Sequence, residues 1–188
     1  MEALGAVVET DRGSLPFALV HGEPLVAAAA WAMGEAGVQL VDLVTSWEAI
    51  TDAATPFVLH DSLCPLTPPA FLAECVNHAA ESAAVTVGVR PVTDTVKELR
   101  EQHVGRTHDR TGLLQVVSPV VLPAAVVAAL DGLPTTDLVT LVAGLAERFP
   151  VETLEAPAQA RRVADEDDVR VLEALTRPSA QRLPMSDG

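Results

Sequence analysis

The sequence is poor in the residue types that several common functions require. Lys97 is its only lysine, and 12 basic residues stand against 26 acidic ones, which gives a net charge of −14. Because phosphate-backbone binding relies on clustered Lys and Arg, we expect no nucleic-acid partner. Cys64 and Cys75 are the only cysteines. They lack metal-ligand spacing, so they are interpreted as unrelated thiols and no zinc site is predicted.

Long apolar runs and aromatic residues are also scarce. No uninterrupted apolar run reaches the roughly 18 residues of a membrane span, so we expect no membrane partner. The N-terminus carries Glu2 and no basic residue before Arg12, which is not the pattern of a signal peptide. Cytoplasmic localisation is therefore expected. Aromatic residues make up 3% of the chain, so the core must consist of Val, Leu and Ala.

Apolar segments of strand length alternate with helical patterns along the chain. With 188 residues, we expect one domain over 1–177, followed by a tail at 178–188. The alternation predicts an α/β fold, a mostly parallel sheet with helices on both faces. Strands are predicted at 4–9, 38–45, 57–60, 84–92 and 151–155, and helices at 24–36, 68–83, 122–130, 135–148 and 165–176. Residues 46–54 are predicted to form a short helical turn or a loop.

The periodicity changes over residues 93–117. Short alternating runs surround Gly105 and Gly112, which indicates an extended hairpin or β-arm. An arm of this length cannot bury itself against a single small sheet, so we expect a partner subunit to cover it.

The strand at 57–60 ends in His60-Asp61, and a new helix follows at once. Thr67 is predicted as its N-cap and Pro68 as its first residue. A carboxylate at the C-terminal end of a strand marks the ligand sites of open α/β sheets, which makes Asp61 the first candidate for chemistry. In the alternative interpretation, Asp61 only braces the turn and His60 is a turn histidine.

Other polar features have structural interpretations beside functional ones. The four acids at 165–168 are interpreted as capping the last helix rather than binding a metal. Cys64 is either a reactive thiol or a packed one. The loop at 10–15 has Gly13 as its only glycine, which is weak evidence for a phosphate cradle. Residues 108–110, His-Asp-Arg, either bind a ligand or form salt bridges within the arm.

Several stretches together resemble one enzyme family. Residues 60–68, His-Asp-Ser-Leu-Cys-Pro-Leu-Thr-Pro, resemble its His-Asp-Ala-Ala-Arg-Pro-Leu-Thr-Pro segment. Residues 91–97, Pro-Val-Thr-Asp-Thr-Val-Lys, resemble its Pro-Val-x-Asp-Thr-Ile-Lys segment. Weaker matches follow at 109–111, 115–119 and 135–137. The family is 2-C-methyl-D-erythritol 4-phosphate cytidylyltransferase, and the resemblance runs collinearly over about 56–175.

The resemblance implies a Rossmann-like, nucleotide-diphospho-sugar transferase-like α/β fold and a homodimer joined through the 93–117 arm. It also implies transfer of CMP from CTP to methylerythritol phosphate, with Mg²⁺. Carried over by position, Asp61 would be the metal-side carboxylate. Arg162 would replace a lysine near the phosphates, and Arg12 would supply one further charge. Thr95, Arg110 and Ser118 would lie at the acceptor phosphate, with Arg110 reaching the partner's site.

The chain departs from the family pattern on the nucleotide side. The glycine-rich first loop is reduced to a shorter one, and Phe17 stands where the family has a lysine. Between Val44 and Pro56 the family's cytosine-binding segment is missing, and Cys64 replaces an arginine. Each change removes positioning or charge that phosphoryl-type transfer needs.

Two hypotheses follow. In the first, the chain is a non-catalytic relative with a binding, regulatory or scaffold role, which dimerises with itself or with a catalytic relative. In the second, it is an active nucleotidyltransferase with a rebuilt donor site, such as one that transfers CMP to methylerythritol phosphate. Only the second requires Mg²⁺, and Arg12, Asp61, Arg110 and Arg162 would carry its chemistry.

Overall fold

The computed structural model describes residues 2–92, 97–100, 103–107 and 109–177, with side chains described for 2–92 and 109–177. The predicted tail and Thr95 lie outside the described residues. The strands are β1 (Ala3–Val8), β2 (Leu19–Val20), β3 (Glu23–Pro24), β4 (Val38–Leu40), β5 (Phe57–Asp61), β6 (Val85–Pro91), β7 (Lys97–Arg100), β8 (His103–Thr107), β9 (Leu114–Leu122) and β10 (Val151–Glu155). The α-helices are α1 (Leu25–Glu35), α2 (Trp47–Asp52), α3 (Pro69–Ser82), α4 (Ala124–Ala128), α5 (Leu138–Ala146) and α6 (Glu166–Thr176).

Six strands form the main sheet in the order β10-β6-β9-β5-β1-β4. The pairs β1·β4, β1·β5 and β10·β6 are parallel, whereas β9 runs antiparallel to both of its neighbours, β5 and β6. The prediction of a mostly parallel sheet is therefore confirmed. Because β9 runs in the opposite direction, its amino end lies at the edge of the sheet where β5 and β6 end.

The sequence analysis was wrong about β9. It assigned 93–117 to the arm and began a helix at 122, whereas Leu114–Leu122 is one strand in the middle of the sheet. Pro119 makes this strand hard to predict, because proline has no N–H to donate to the hydrogen bonds of a central strand. The register pairs Val87 with Val120 and Val89 with Val116, so β9 bulges around Pro119 and the ladder needs no donor there.

Gly88 permits that bulge. A methyl carbon at position 88 would lie 2.5 Å from the carbonyl oxygen of Ser118, so the backbone would have to move. We expect Gly88→Ala to lower the free energy of unfolding by about 2–3 kcal/mol in urea denaturation. Gly144→Ala is the control, because its new methyl meets no atom within 4 Å. It should stabilise α5 by about 0.5–1 kcal/mol, and equal effects of the two changes would contradict this account.

Within its described part, the predicted arm contains a hairpin. Strands β7 and β8 pair antiparallel, from Lys97 with Thr107 to Arg100 with His103. They form a separate two-stranded sheet. The arm is thus shorter than predicted, since 114–117 belong to β9, and its role in dimerisation stays a prediction.

Helices cover both faces of the main sheet, as predicted. Helices α1 and α3 pack on one face through an aliphatic cluster that includes Met33 and Leu72. Helices α2, α4 and α5 cover the other face, where Leu141 is among the buried residues. Helix α6 packs beside β2 and α1 in a third cluster. Among the described residues, no helix has the length and apolar character needed to cross a membrane.

Several element ends differ from the predictions. Strand β4 stops at Leu40 instead of continuing to residue 45. Pro68, not Thr67, occupies the N-cap of α3, and the Thr67 hydroxyl donates instead to the Cys64 carbonyl at 2.9 Å. Asp137, not a threonine, caps α5. The capping interpretation of the acids at 165–168 is confirmed, since the Asp165 side chain accepts from the Asp168 N–H at the start of α6.

Candidate functional site

All six strands of the main sheet have one end at the same edge. The parallel strands β1, β4, β5, β6 and β10 end there, and β9 begins there because it runs in the opposite direction. Beside this edge lies a cavity of about 370 Å³. Its volume falls within the usual range of small-molecule sites. The lining comprises Arg12, Asp61, Leu114, Gln115, Val116, Val117, Asp137, Leu138, Val139 and Arg162.

Asp61, the last residue of β5, forms the charged centre of the cavity. Its Oδ1 accepts from Arg12 Nε at 3.2 Å and from the Leu63 N–H at 3.0 Å. Its Oδ2 accepts from Arg12 Nη2 at 3.3 Å and from Arg162 Nε at 3.0 Å. Only 3% of the Asp61 side chain is exposed, against 9% for Arg12 and 32% for Arg162. Both carboxylate oxygens are therefore engaged by cations in a largely buried position.

The loop after β1 places Arg12 against this carboxylate. Asp11 and Gly13 on either side have positive φ angles of 59° and 61°, so the loop reverses sharply around the arginine. The Thr10 hydroxyl lies 3.2 Å from the Thr136 hydroxyl, just before α5. The loop thus bridges β5 and the start of α5 through side chains, where a phosphate cradle would use backbone amides.

Asp137 contributes a second carboxylate to the cavity. It caps α5, where its Oδ1 accepts from the Thr140 N–H at 2.8 Å. Hydrogen bonds from Thr140 lower the pKa of Asp137, and the nearby charges of Arg12 and Arg162 lower it further. The carboxylate is thus ionised and held in place as part of the helix cap.

Behind Asp61, His60 and Ser118 form a buried pair. Ser118 Oγ accepts from the Asp61 N–H at 3.0 Å and lies 2.5 Å from His60 Nδ1. The other nitrogen of the imidazole ring is Nε2. That nitrogen is buried without a partner among the described residues. Burial lowers the pKa of His60 to about 4, although the Asp61 charge opposes the shift.

Cys64 lies on the first turn after β5 and is fully buried. Burial and the neighbouring Asp61 charge raise the pKa of its thiol well above the usual value. A neutral, enclosed thiol is a poor nucleophile, which supports the packed alternative over the reactive one.

The structure brings three of the six predicted site residues together. Arg12, Asp61 and Arg162 share the cavity through direct ion pairs. Ser118 touches Asp61 from behind and is fully buried, so it does not face the cavity. Arg110 lies in the exposed turn before β9, where its carbonyl accepts from the Leu113 N–H at 2.9 Å. Thr95 lies outside the described residues.

The sequence analysis missed the aliphatic wall of the cavity. The lining includes Leu114 and Val116 of β9 and Leu138 and Val139 of α5. The signal was the Leu-Leu-Gln-Val-Val run at 113–117. It was interpreted as part of the arm because short alternating runs around Gly105 and Gly112 precede it.

Comparison with known proteins identifies the family. The family model described as 2-C-methyl-D-erythritol 4-phosphate cytidylyltransferase matches residues 37–175. The chain belongs to this family. The match covers β5, β9, α5 and Arg162, whereas β1 and the Arg12 loop precede it. Two of the three ion-paired residues, Asp61 and Arg162, thus lie inside the family match.

Curated cytidylyltransferases are similar in sequence. The chain is 33% identical over 146 residues to 2-C-methyl-D-erythritol 4-phosphate cytidylyltransferase from Frankia casuarinae, covering 74% of this chain and 53% of the relative. It is 32% identical over 142 residues to the protein of that name from Nocardia farcinica, covering 74% and 61%. The chain thus spans little more than half the length of these cytidylyltransferases.

Solved structures of the family share the fold. The crystal structure of 2-C-methyl-D-erythritol 4-phosphate cytidylyltransferase from Thermus thermophilus superposes with a TM-score of 0.71 at 21% identity, covering 93% of this chain and 98% of the other. 4-Diphosphocytidyl-2C-methyl-D-erythritol synthase from Anaerococcus prevotii gives a TM-score of 0.64 at 12% identity, with 93% and 97% covered. The predicted nucleotidyltransferase-like fold is confirmed.

The residues present do not fit the Mg²⁺ ion that a cytidylyltransferase would use. Mg²⁺ needs carboxylate oxygens that are free to coordinate it. In Asp61 both oxygens already accept from guanidinium groups. Among the described residues, no group of three or more His, Cys, Asp and Glu side chains is arranged to hold a metal ion. A metal at Asp61 would have to displace Arg12 or Arg162.

Proposed function

We propose that this chain is a non-catalytic member of the cytidylyltransferase family, with a binding, regulatory or scaffold role. The observation that carries the proposal is the engagement of both Asp61 oxygens by Arg12 and Arg162. Arg12 makes a two-point contact with the carboxylate, through Nε at 3.2 Å and Nη2 at 3.3 Å. The candidate metal-side carboxylate therefore has its charge satisfied within the protein.

The charge of the cavity also disfavours CTP. Its described lining carries two cations, Arg12 and Arg162, and two anions, Asp61 and Asp137. These formal charges cancel, whereas transfer from a triphosphate depends on excess positive charge around the phosphates. The loop at 9–14 adds two further carboxylates, Glu9 and Asp11, and only one glycine. The site thus has little with which to offset a polyanion.

Titration calorimetry with CTP and Mg²⁺ tests the proposal, together with an assay of pyrophosphate release in the presence of methylerythritol phosphate. We expect no heat of binding up to millimolar CTP and no pyrophosphate above a protein-free blank. The Thermus thermophilus cytidylyltransferase serves as the positive control under identical conditions. Micromolar CTP binding, or sustained pyrophosphate release, would overturn the non-catalytic role.

An active transferase is the second candidate, and one observation favours it. Arg12, Asp61 and Arg162 converge on one cavity at the carboxyl ends of parallel strands, where open α/β sheets bind ligands. Cytidylyl transfer from CTP to methylerythritol phosphate would require both arginines to leave Asp61 so that Mg²⁺ can bind. In that case the pyrophosphate released by the wild-type chain would disappear in Asp61→Asn.

We also propose that the arm, without the residues 114–117 that belong to β9, mediates a homodimer, or a heterodimer with a catalytic relative. The support is the separate β7–β8 hairpin, which pairs with neither edge of the main sheet within the described residues. A two-stranded hairpin is marginally stable alone, so a covering surface would stabilise it.

A further inference from the structure

A second concave surface lies along α1, beside β2 and the loop that follows β5. It consists of two adjoining cavities of about 480 and 240 Å³, which share His21, Ala28, Trp31 and Leu66 in their linings. Neither cavity shares a lining residue with the cavity beside Asp61. Because Trp31 lines both cavities and its side chain is 64% exposed, we call this surface the Trp31 groove.

The Trp31 groove is largely apolar and carries negative charge at its border. Pro65 and Pro68 add apolar lining, and Glu23 lines the larger cavity. The Glu173 side chain lies next to the groove, where it accepts from the His21 N–H. Among the described residues, no Arg or Lys lines either cavity. An exposed indole ring beside carboxylates suits a peptide that combines a cation with proline or aliphatic side chains.

Helix α6 ends at the Trp31 groove. Thr176, its last residue, lines the smaller cavity, and the Thr176 hydroxyl lies 2.8 Å from His21 Nε2. Arg177 follows with an extended backbone, at φ −62° and ψ 127°. Pro178 favours this conformation, because a proline ring clashes with a helical residue before it. The chain therefore leaves α6 in an extended form beside the groove.

The segment that follows has the composition that the groove requires. Residues 178–188, Pro-Ser-Ala-Gln-Arg-Leu-Pro-Met-Ser-Asp-Gly, lie outside the described residues. In this segment Arg182 directly precedes Leu183-Pro184-Met185. Proline favours an extended peptide, and methionine sulfur packs well against aromatic rings. From Thr176 to Leu183 an extended chain reaches about 23 Å, which is sufficient because Thr176 and Trp31 line the same small cavity.

We propose that residues 178–188 bind in the Trp31 groove of their own chain, with Leu183 and Met185 against the indole ring and Arg182 beside Glu23. The segment is tethered at α6, so its effective concentration is about millimolar and a weak peptide contact suffices to occupy the groove. A partner that binds this surface must displace the segment. The inference does not depend on whether the chain transfers CMP.

Acrylamide quenching of tryptophan fluorescence on the full chain tests the proposal. Trp31 and Trp47 are the only tryptophans. The Trp47 indole N–H donates to the Leu130 carbonyl at 2.8 Å, away from the groove, so its signal should stay constant. Any change that arises from the groove must therefore disappear in a Trp31→Phe background.

Replacing both Leu183 and Met185 by serine should weaken docking about a hundredfold, since each loses the burial of a large apolar side chain. Trp31 would then become exposed, its quenching constant would rise and its emission would shift to longer wavelength. The matched control replaces both Val171 and Leu175 by serine. These two residues are exposed on α6 and line neither cavity, so wild-type quenching is expected.

A charge exchange tests where Arg182 lies. In a Met185→Ser background, where docking is already weakened, Arg182→Glu and Glu23→Arg should each weaken docking further, by up to about fivefold. The two changes together restore an opposite-charge pair and should return Trp31 quenching to the level of the background. Absence of this recovery would overturn the placement of Arg182 beside Glu23.

Equal quenching of Trp31 in the wild type and in the variant with serine at 183 and 185 would overturn the inference. Protein concentration separates the remaining occupants of the groove. Docking within one chain protects Trp31 equally at all protein concentrations. Protection that rises with protein concentration would identify a second copy of the chain as the occupant and would also overturn the inference.

Discussion

Asp61→Ala is expected to lower the free energy of unfolding by about 3–5 kcal/mol. The substitution removes the acceptor for Arg12 and Arg162, and it leaves the Leu63 N–H without its partner. With Asp61 and Arg12 both largely buried, water cannot replace the lost contacts fully. Urea denaturation near neutral pH measures the effect.

Two further variants calibrate this loss. Asp61→Asn retains an oxygen for the Leu63 N–H but removes the charge, so we expect a smaller loss than with alanine. Asp137→Ala removes an exposed helix cap and should cost only about 1 kcal/mol. If Asp61→Ala destabilised the chain no more than Asp137→Ala does, the ion-paired cluster would not be a structural centre of the fold.

The second large effect is expected from His60 as the pH falls. Burial lowers its pKa to about 4, below the value of about 6.5 in an unfolded chain. The unfolded state therefore takes up a proton first, and stability is full above pH 6.5 and declines as the pH falls towards 4. The whole shift corresponds to about 3 kcal/mol, as an order of magnitude.

Comparison of variants isolates this contribution from the titration of other groups. His60→Asn keeps a hydrogen-bonding group for Ser118 but cannot take up a proton, so its stability should fall less between pH 7.5 and pH 4.5 than that of the wild type. His78→Gln is the control, because His78 is partly exposed and pairs with Glu152. It should keep the wild-type decline. Parallel declines in the wild type and His60→Asn would show that His60 is not the responsible group.

The sequence was sufficient for the elements whose pattern is local. Helix α3 and strand β5 were predicted to within one or two residues, because apolar periodicity and prolines mark their limits. Strand β9 was not, since Pro119 argues against a central strand. Strand β9 tolerates Pro119 because Gly88, on the neighbouring strand β6, leaves room for the bulge. No local pattern within 114–122 therefore indicates the strand.

The same distinction applies to the cavity. Asp61 was predicted because it ends a buried strand, and the family resemblance added Arg162. That Arg12 and Arg162 would both bind Asp61 directly was not predictable, because the three residues lie on separate segments. The aliphatic residues of the cavity on β9 were not predicted, because the sequence analysis assigned this part of the chain to the arm.

The ion-paired cluster also has consequences for the order of events in folding. Arg12 and Asp61 are separated by 49 residues, and Asp61 and Arg162 by 101. Closing such long loops is slow compared with forming local helices. During synthesis, Arg162 leaves the ribosome long after Asp61 has done so. The three-residue cluster cannot form before then. The complete cluster therefore forms late, after the segments that carry its other members have been synthesised.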